Sequence, residues 1–448
     1  MIKYLQKSNF PLGIFFLAIG IWLFLAGGIY YINQFVFTGN NILFPFSVIY
    51  PSSFLVTGIL FCLLFLGVGL LSYNSYRKLN FFWIYLLCVL LVFLGNMGQG
   101  NIDIAFLQPF YFKGRQYYTD AINIGDWQIW LRDFNKNLES FQMHTRTHPP
   151  YTTLIHYFFL KLFNGNVLGL SLGFFAISVL SFPLLNILMK NFDIESSRRK
   201  LMLLLFAVIP SVNIYMLVSI DGLVLTAALL FACGLSKVFV DNRLNIISIV
   251  AMFLGLTFMN LMSFSGLFLI AFAGLLCLAT LYRKQFSVSI ASLLSVLLTA
   301  GFIFWLSDFT GSNYLETFRE ASHSENPNGF MLLHNPTIYF FTRLEDVCEI
   351  LFFLSLGYVA YFFSFKNEKI NFFDDKKIKV FSFSAIIALA VMFLTGAYGT
   401  GETARACLYI VPFFVLFLKN IESRDISVIY FMCLLQTFGM QLIGNYYW

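Results

Sequence analysis

Charged side chains are scarce in this sequence: Asp, Glu, Lys and Arg make up 11% of its 448 residues. Globular domains carry about 25%, so an ordinary water-facing surface is excluded. Internal repeats, low-complexity tracts and a separable soluble domain are also missing. Cysteine occurs seven times without a CxxC pair. All seven lie in apolar runs, where they read as small apolar fillers; Cys348 and Cys407, near outer helix ends, are the one pair placed to bond. What fills the chain is apolar. Hydrophobic residues reach 59% and mean hydropathy is +0.78.

Apolar runs of 13 to 23 residues recur from Phe10 to Gly444, most of them long enough to cross a hydrocarbon core of about 30 Å. Runs at 10–31, 54–73, 81–97, 167–189, 201–219, 222–236, 245–262, 264–281, 286–306, 347–364, 380–396, 406–418 and 426–444 predict thirteen transmembrane helices in an all-α integral membrane protein. The first run is too long for a signal-peptide core and lacks a small-residue cleavage site, so it is expected to be retained. Basic residues set the orientation. With the N-terminus in the cytoplasm, the inside loops hold nineteen of the 28 basic residues, among them Lys3, Lys7, Arg77, Lys78, Arg198, Arg199, Lys200, Arg283, Lys366 and Lys369. The net charge of +6 then follows from topology and requires no nucleic-acid partner. The inner loop KNEKINFFDDKKIKV, 365–379, reads as a cationic anchor.

Orientation hinges on residues 149–163, PPYTTLIHYFFLKLF. Counted as a span, they would reverse everything downstream and place Arg198, Arg199 and Lys200 outside. A run this short, carrying His156 and Lys161 and ended by Asn164-Gly165-Asn166, is expected instead to be a short helix dipping into the outer leaflet.

The one long polar insert in the first half, roughly 98 to 150, is therefore an outer loop, and long loops on rigid scaffolds carry chemistry. In DWQIWLRDFNKNLESF, Trp127, Trp130, Leu131, Phe134, Leu138 and Phe141 recur at helical spacing with Arg132, Asp133, Lys136 and Glu139 opposite. That pattern predicts an amphipathic interfacial helix, with Asp126 as its N-cap. Asp120 and Asp103 read either as solvated loop acids or as a general base at a cavity mouth, where partial burial tunes basicity.

A second polar constellation, Gly399-Thr400-Gly401-Glu402-Thr403-Ala404-Arg405, lies on the same side. Glu402 and Arg405, three apart, form either a local surface pair of little energetic weight or part of a phosphate site suited to a guanidinium fork. Asp221 reads as a helix cap or as a third polar point at that surface. His144 and His148, four apart, hint at metal, but no Glu or Cys completes a ligand set in the stretch.

On these residues a resemblance rests. HTRTHPPYTTLIHYFFLKLF resembles the His-Pro-Pro helix of the GT-C superfamily, polytopic glycosyltransferases that use polyprenyl-phosphate sugars. YYTDA, WLRDF, THPP, Asp221 and GETAR followed by Pro412 come in the order found in a bacterial branch of that group, and the similarity covers most of the chain. Two departures stand out: two extra helices precede the span leading into the loop, and Asp103-Ile104 and Asp120-Ala121 replace the adjacent Asp-Glu pair many members carry.

The resemblance implies a GT-C-like fold, with a two-helix extension over 1–80 and a catalytic module over 81–448 whose catalytic outer loop is 98–166. Asp120, ahead of Asp103, would be the base. Arg405, oriented by Glu402 and joined by Arg146 and His148, would hold the donor phosphate, while Tyr118 and Asp221 would line the same cavity. The implied partners are a polyprenyl-phosphate-linked sugar donor, membrane lipids and a glycan, lipid or protein acceptor. No metal or other cofactor is required. The implied location is a bacterial plasma membrane, with the site facing outside.

Two other classes fit the composition. An ion-coupled transporter or lipid-linked-glycan flippase would place ionisable residues within its spans, and only Glu349 falls inside one as drawn. A polysaccharide polymerase or ligase would carry its main catalytic loop late in the chain, whereas the long polar loop here comes early. A purely structural role is the remaining reading.

Overall fold

Residues 10–35, 50–112, 117–217, 219–282, 284–364, 375–399 and 401–446 are described by a computed structural model. Lys3, Lys7, Arg283, Lys366, Lys369, Thr400 and most of the 365–379 loop lie outside the described residues.

Helix occupies every one of the thirteen apolar runs, and among the described residues the fold is all-α apart from one antiparallel pairing of Tyr50–Pro51 with Gly444–Asn445. Among the described residues, six helices are individually long and apolar enough to cross a membrane: Val56–Ser75, Val167–Asn191 (with an internal break), Ile220–Asp241, Phe286–Thr310, Lys376–Leu394 and Ser423–Ile443. Ile220–Asp241 is the central one. Its apolar window is 83% buried, against 28% for Val56–Ser75 and for Phe286–Thr310, whose outward leucines would meet lipid.

Small residues bring the central helix close to its neighbours. A Cβ on Gly255 of Ile246–Met262 would sit 2.6 Å from the Ala227 carbonyl oxygen. Lipid is as apolar as leucine, so close backbone packing of this kind holds membrane helices together. The first two helices join the bundle too: Trp22 stacks on Phe352 at 4.5 Å, and Tyr430 donates to the Gly69 carbonyl at 2.8 Å.

Pro210 interrupts the expected 201–219 run, which becomes Ser196–Val208 followed by Pro210–Tyr215. A proline removes a helical donor and frees carbonyls, which must be satisfied away from water. Here Asn213 Nδ2 donates to the Ala207 carbonyl at 2.8 Å. Gln441 donates to Asn213 Oδ1 at 3.0 Å and accepts from Gln99 at 2.8 Å, a buried amide chain linking two helices to the turn that follows Phe81–Met97.

The expected amphipathic helix over 126–141 is shorter than its pattern. Asp126 does cap it, accepting from the Gln128 and Ile129 N–H groups at 2.8 and 3.0 Å. The α-helix stops at Arg132, and a 3-10 turn, Asn135–Ser140, follows. Tertiary docking accounts for the break: Asn135 accepts from Thr317 at 2.8 Å and donates to the Asn313 carbonyl at 3.2 Å. Leu131 and Phe134 are buried, so part of the apolar stripe faces protein. The His-Pro-Pro segment forms the helix Pro150–Leu162, with Pro150 at its first position, where the missing N–H costs nothing.

Candidate functional site

The late Gly-rich turn is held from beneath. Gly401 has φ +80°, a left-handed conformation that glycine adopts without a Cβ clash. Its N–H donates to Glu345 at 3.2 Å, and the Thr403 N–H and hydroxyl donate to Glu349 at 3.0 and 2.7 Å. Glu345, Asp346 and Glu349 are all fully buried on the helix Pro336–Leu354. The sequence reading drew that span from 347 and saw only Glu349 within it. The spacing Glu345, Asp346, Glu349 on one helical face was the available signal.

Arg343, from the same helix, donates to the carbonyls of Phe393, Ala397 and Tyr398 at 2.8, 2.5 and 2.6 Å and pairs with Asp346 at 3.1 Å. Its guanidinium is thereby committed to capping the helix Lys376–Leu394.

Arg405 is placed differently. Its Nε lies 3.5 Å from Asp221 Oδ2, and its Nη2 lies 4.0 Å from Glu402 Oε2. Both distances exceed those of a well-formed charge-assisted hydrogen bond. Glu402 also accepts from the Gly399 N–H at 2.9 Å. Asp221 stands in the first turn of Ile220–Asp241, where the N-terminal dipole favours a carboxylate. Ser219, not Asp221, caps that helix. Gly222 is what lets the helix start there, since a Cβ on it would fall 1.8 Å from the Met216 carbonyl oxygen.

These residues line a cavity of about 810 Å³, within the usual range for small-molecule sites. Its wall includes Tyr117, His144, His148 and His156 from the first loop, Asp221, Phe264, Ser265, Phe318, Glu325, Arg343, Tyr398, Glu402 and Arg405. Burial pushes the Tyr117 phenol well up despite the nearby Arg405 charge, so it is a neutral hydroxyl at physiological pH. Burial, reinforced by Arg405, lowers the His148 imidazole to about 4. Water still reaches Glu325, yet desolvation and the Glu402 charge raise its carboxyl, with Arg146 opposing them. His144 and His148 rings are 6.2 Å apart, and among the described residues no group of three or more His, Cys, Asp or Glu side chains is placed to hold a metal ion.

Of the residues the sequence singled out, the cavity gathers His148, Asp221, Glu402 and Arg405. Asp103, Asp120, Tyr118 and Arg146 are not part of its wall. Asp103 lies in a π-helical turn and accepts from the Tyr111 hydroxyl at 2.6 Å and from Gln108 at 2.8 Å. Asp120 is buried and accepts the Gln142 N–H at 2.9 Å, fastening the start of the helix Met143–Thr147. That long-range bond gives Asp120 a structural task its local sequence did not reveal. Tyr117 takes the place expected of Tyr118, because on the short helix Tyr117–Ala121 the first tyrosine is the one turned inward. Glu325 and Arg343, in the second loop region, went unremarked in the sequence.

Comparison of the chain with protein families, with curated proteins and with solved structures returned no match.

Proposed function

We propose that this protein is a membrane glycosyltransferase that moves a sugar from a polyprenyl-phosphate donor to an acceptor hydroxyl at the non-cytoplasmic face of a bacterial plasma membrane. In this reading its thirteen apolar runs all cross the bilayer, and Pro150–Leu162 dips into the outer leaflet beside the cavity. The observation that carries it is the meeting of Arg405, Asp221, Glu402 and His148, from three remote parts of the chain, in one cavity of substrate size. Arg405 faces the cavity beside Asp221 and Glu402, whereas Arg343 is bound to backbone carbonyls. Asp221 and Glu402 orient the guanidinium from two sides.

The chemistry needs little else. The acceptor oxygen attacks the anomeric carbon from the face opposite the phosphate, the bond to the phosphate oxygen breaks, and configuration inverts. Negative charge grows on the departing phosphate, where a pre-placed guanidinium stabilises it. The test is transfer by protein in lipid nanodiscs from a panel of polyprenyl-phosphate hexoses and pentoses to an alkyl glucoside. Arg405→Ala should nearly abolish transfer, while Arg405→Lys, which keeps charge without the fork, should retain part of it. Full activity in Arg405→Ala would remove the basis of the reading.

The three buried carboxylates of Pro336–Leu354 favour a second reading, a lipid-linked-glycan flippase or ion-coupled transporter. Glu345 and Glu349 have a sufficient task in holding the 401–403 backbone, and Asp346 in pairing with Arg343. Proton- or sodium-dependent translocation of a labelled lipid-linked sugar without any transfer product would decide for transport.

A further inference from the structure

The environment of His148 is inconsistent with the phosphate-ligand role its sequence suggested. Its Nδ1 lies 3.1 Å from the His144 carbonyl oxygen and 3.3 Å from Thr147 Oγ1. A carbonyl can only accept, and the Thr147 hydroxyl already donates to the Met143 carbonyl at 2.9 Å. Both neighbours of Nδ1 are therefore acceptors, which fixes the ring proton on Nδ1. In the neutral ring Nε2 is then a lone pair, and it has no hydrogen-bond partner among the described residues. A lone pair repels phosphate oxygens and accepts from a hydroxyl.

We propose that His148 Nε2 is the catalytic base that takes the proton of an alcohol acceptor. This rests on the glycosyltransferase reading and supplies the group that reading lacks. Of the carboxylates of the wall, Asp221 and Glu402 face Arg405 and Glu325 is open to water, while Asp120, off the wall, accepts the Gln142 N–H. As the acceptor oxygen bonds to the anomeric carbon, its proton passes to Nε2. The sugar–phosphate bond breaks with its electron pair going to the phosphate oxygen, and the resulting imidazolium returns the proton to the leaving phosphate or to water.

The cavity also ties basicity to the donor. Burial and the Arg405 cation hold the empty-site imidazole down to about 4, too low for an effective base at neutral pH. A donor phosphate on Arg405 cancels that cation's field and adds negative charge, and both effects favour the imidazolium. The other ionisable groups of the wall are Tyr117, His144, His156, Asp221, Glu325, Tyr339, Arg343, Tyr398 and Glu402.

Two measurements test this. In protein labelled with 15N-histidine, with the His148 signals identified by their loss in His148→Gln, long-range 1H–15N spectra should show the neutral Nδ1–H tautomer at pH 7. Dodecyl phosphate, as a probe of the donor head, should raise its titration midpoint by about one unit or more. An Nε2–H tautomer, an imidazolium at pH 7, or no response to dodecyl phosphate overturns the proposal. In the transfer assay, His148→Gln should lose about 10²–10⁴-fold in kcat with donor KM little changed, and added imidazole should partly rescue His148→Ala. If the wild type transfers and His148→Gln keeps more than a tenth of its kcat, the base assignment alone fails. If the wild type transfers from no donor of the panel, the glycosyltransferase reading fails and the base assignment with it.

Discussion

Gly222→Ala adds a single methyl group beside Asp221, and its consequence can be worked out from two contacts. The new Cβ would lie 1.8 Å from the Met216 carbonyl oxygen and 2.5 Å from Ser178 Oγ. Carbon and oxygen separate to more than about 3 Å, and the carbonyl belongs to a backbone that cannot swing aside, so the start of the Ile220–Asp241 helix must move by about an ångström or more. Overpacking of this kind costs about 1–3 kcal/mol. The displaced element carries Asp221, whose carboxylate is 3.5 Å from Arg405; a shift of this size is enough to release the guanidinium from its orientation. Misplacement by about 1 Å costs up to about 100-fold in rate, so kcat/KM should fall by about 10- to 100-fold.

Gly234→Ala is the control. Its Cβ would meet the Ser248 carbonyl oxygen at 2.4 Å on the same helix, but twelve residues, or about 18 Å, farther along. Both variants should lower the Tm by a few degrees, read by scanning fluorimetry in detergent, and only Gly222→Ala should impair transfer. The reasoning is refuted if Gly222→Ala leaves kcat/KM intact, or if Gly234→Ala damages it equally.

Two further expectations concern acids the sequence highlighted or passed over. Asp120→Asn keeps an oxygen for the Gln142 N–H and should retain most transfer activity, whereas Asp120→Ala leaves that donor unpaired and should destabilise by about 1–3 kcal/mol; a hundredfold loss of kcat in a well-folded Asp120→Asn would restore Asp120 as the base. Glu325 has a raised carboxyl, so it stays neutral to a higher pH than a free glutamate and then becomes an anion beside Glu402. Affinity for an anionic donor should therefore fall as pH rises through that titration, and Glu325→Gln should flatten the dependence and bind more tightly on its alkaline side; titrating dodecyl phosphate affinity against pH checks both.

The sequence by itself determined that the chain is all-α and predominantly apolar, because hydrophobic runs of membrane length satisfy their backbone as helices. It also located the Asp126 cap, the His-Pro-Pro helix and the Glu402–Arg405 pair, whose signals are local: a capping side chain, a proline at a helix start, a three-residue spacing. Tertiary structure decided which of the polar residues meet. Asp120 and Asp221 are both acids outside a long apolar run, yet one fastens a loop and the other faces Arg405, since the difference lies in partners 22 and 184 residues away. The same holds for Tyr117 over Tyr118, set by the inward face of a five-residue helix, and for the break at Arg132, set by docking onto Asn313 and Thr317. Spacing along a chain fixes what neighbours on one helix can do; contacts between distant segments depend on packing that no local pattern encodes.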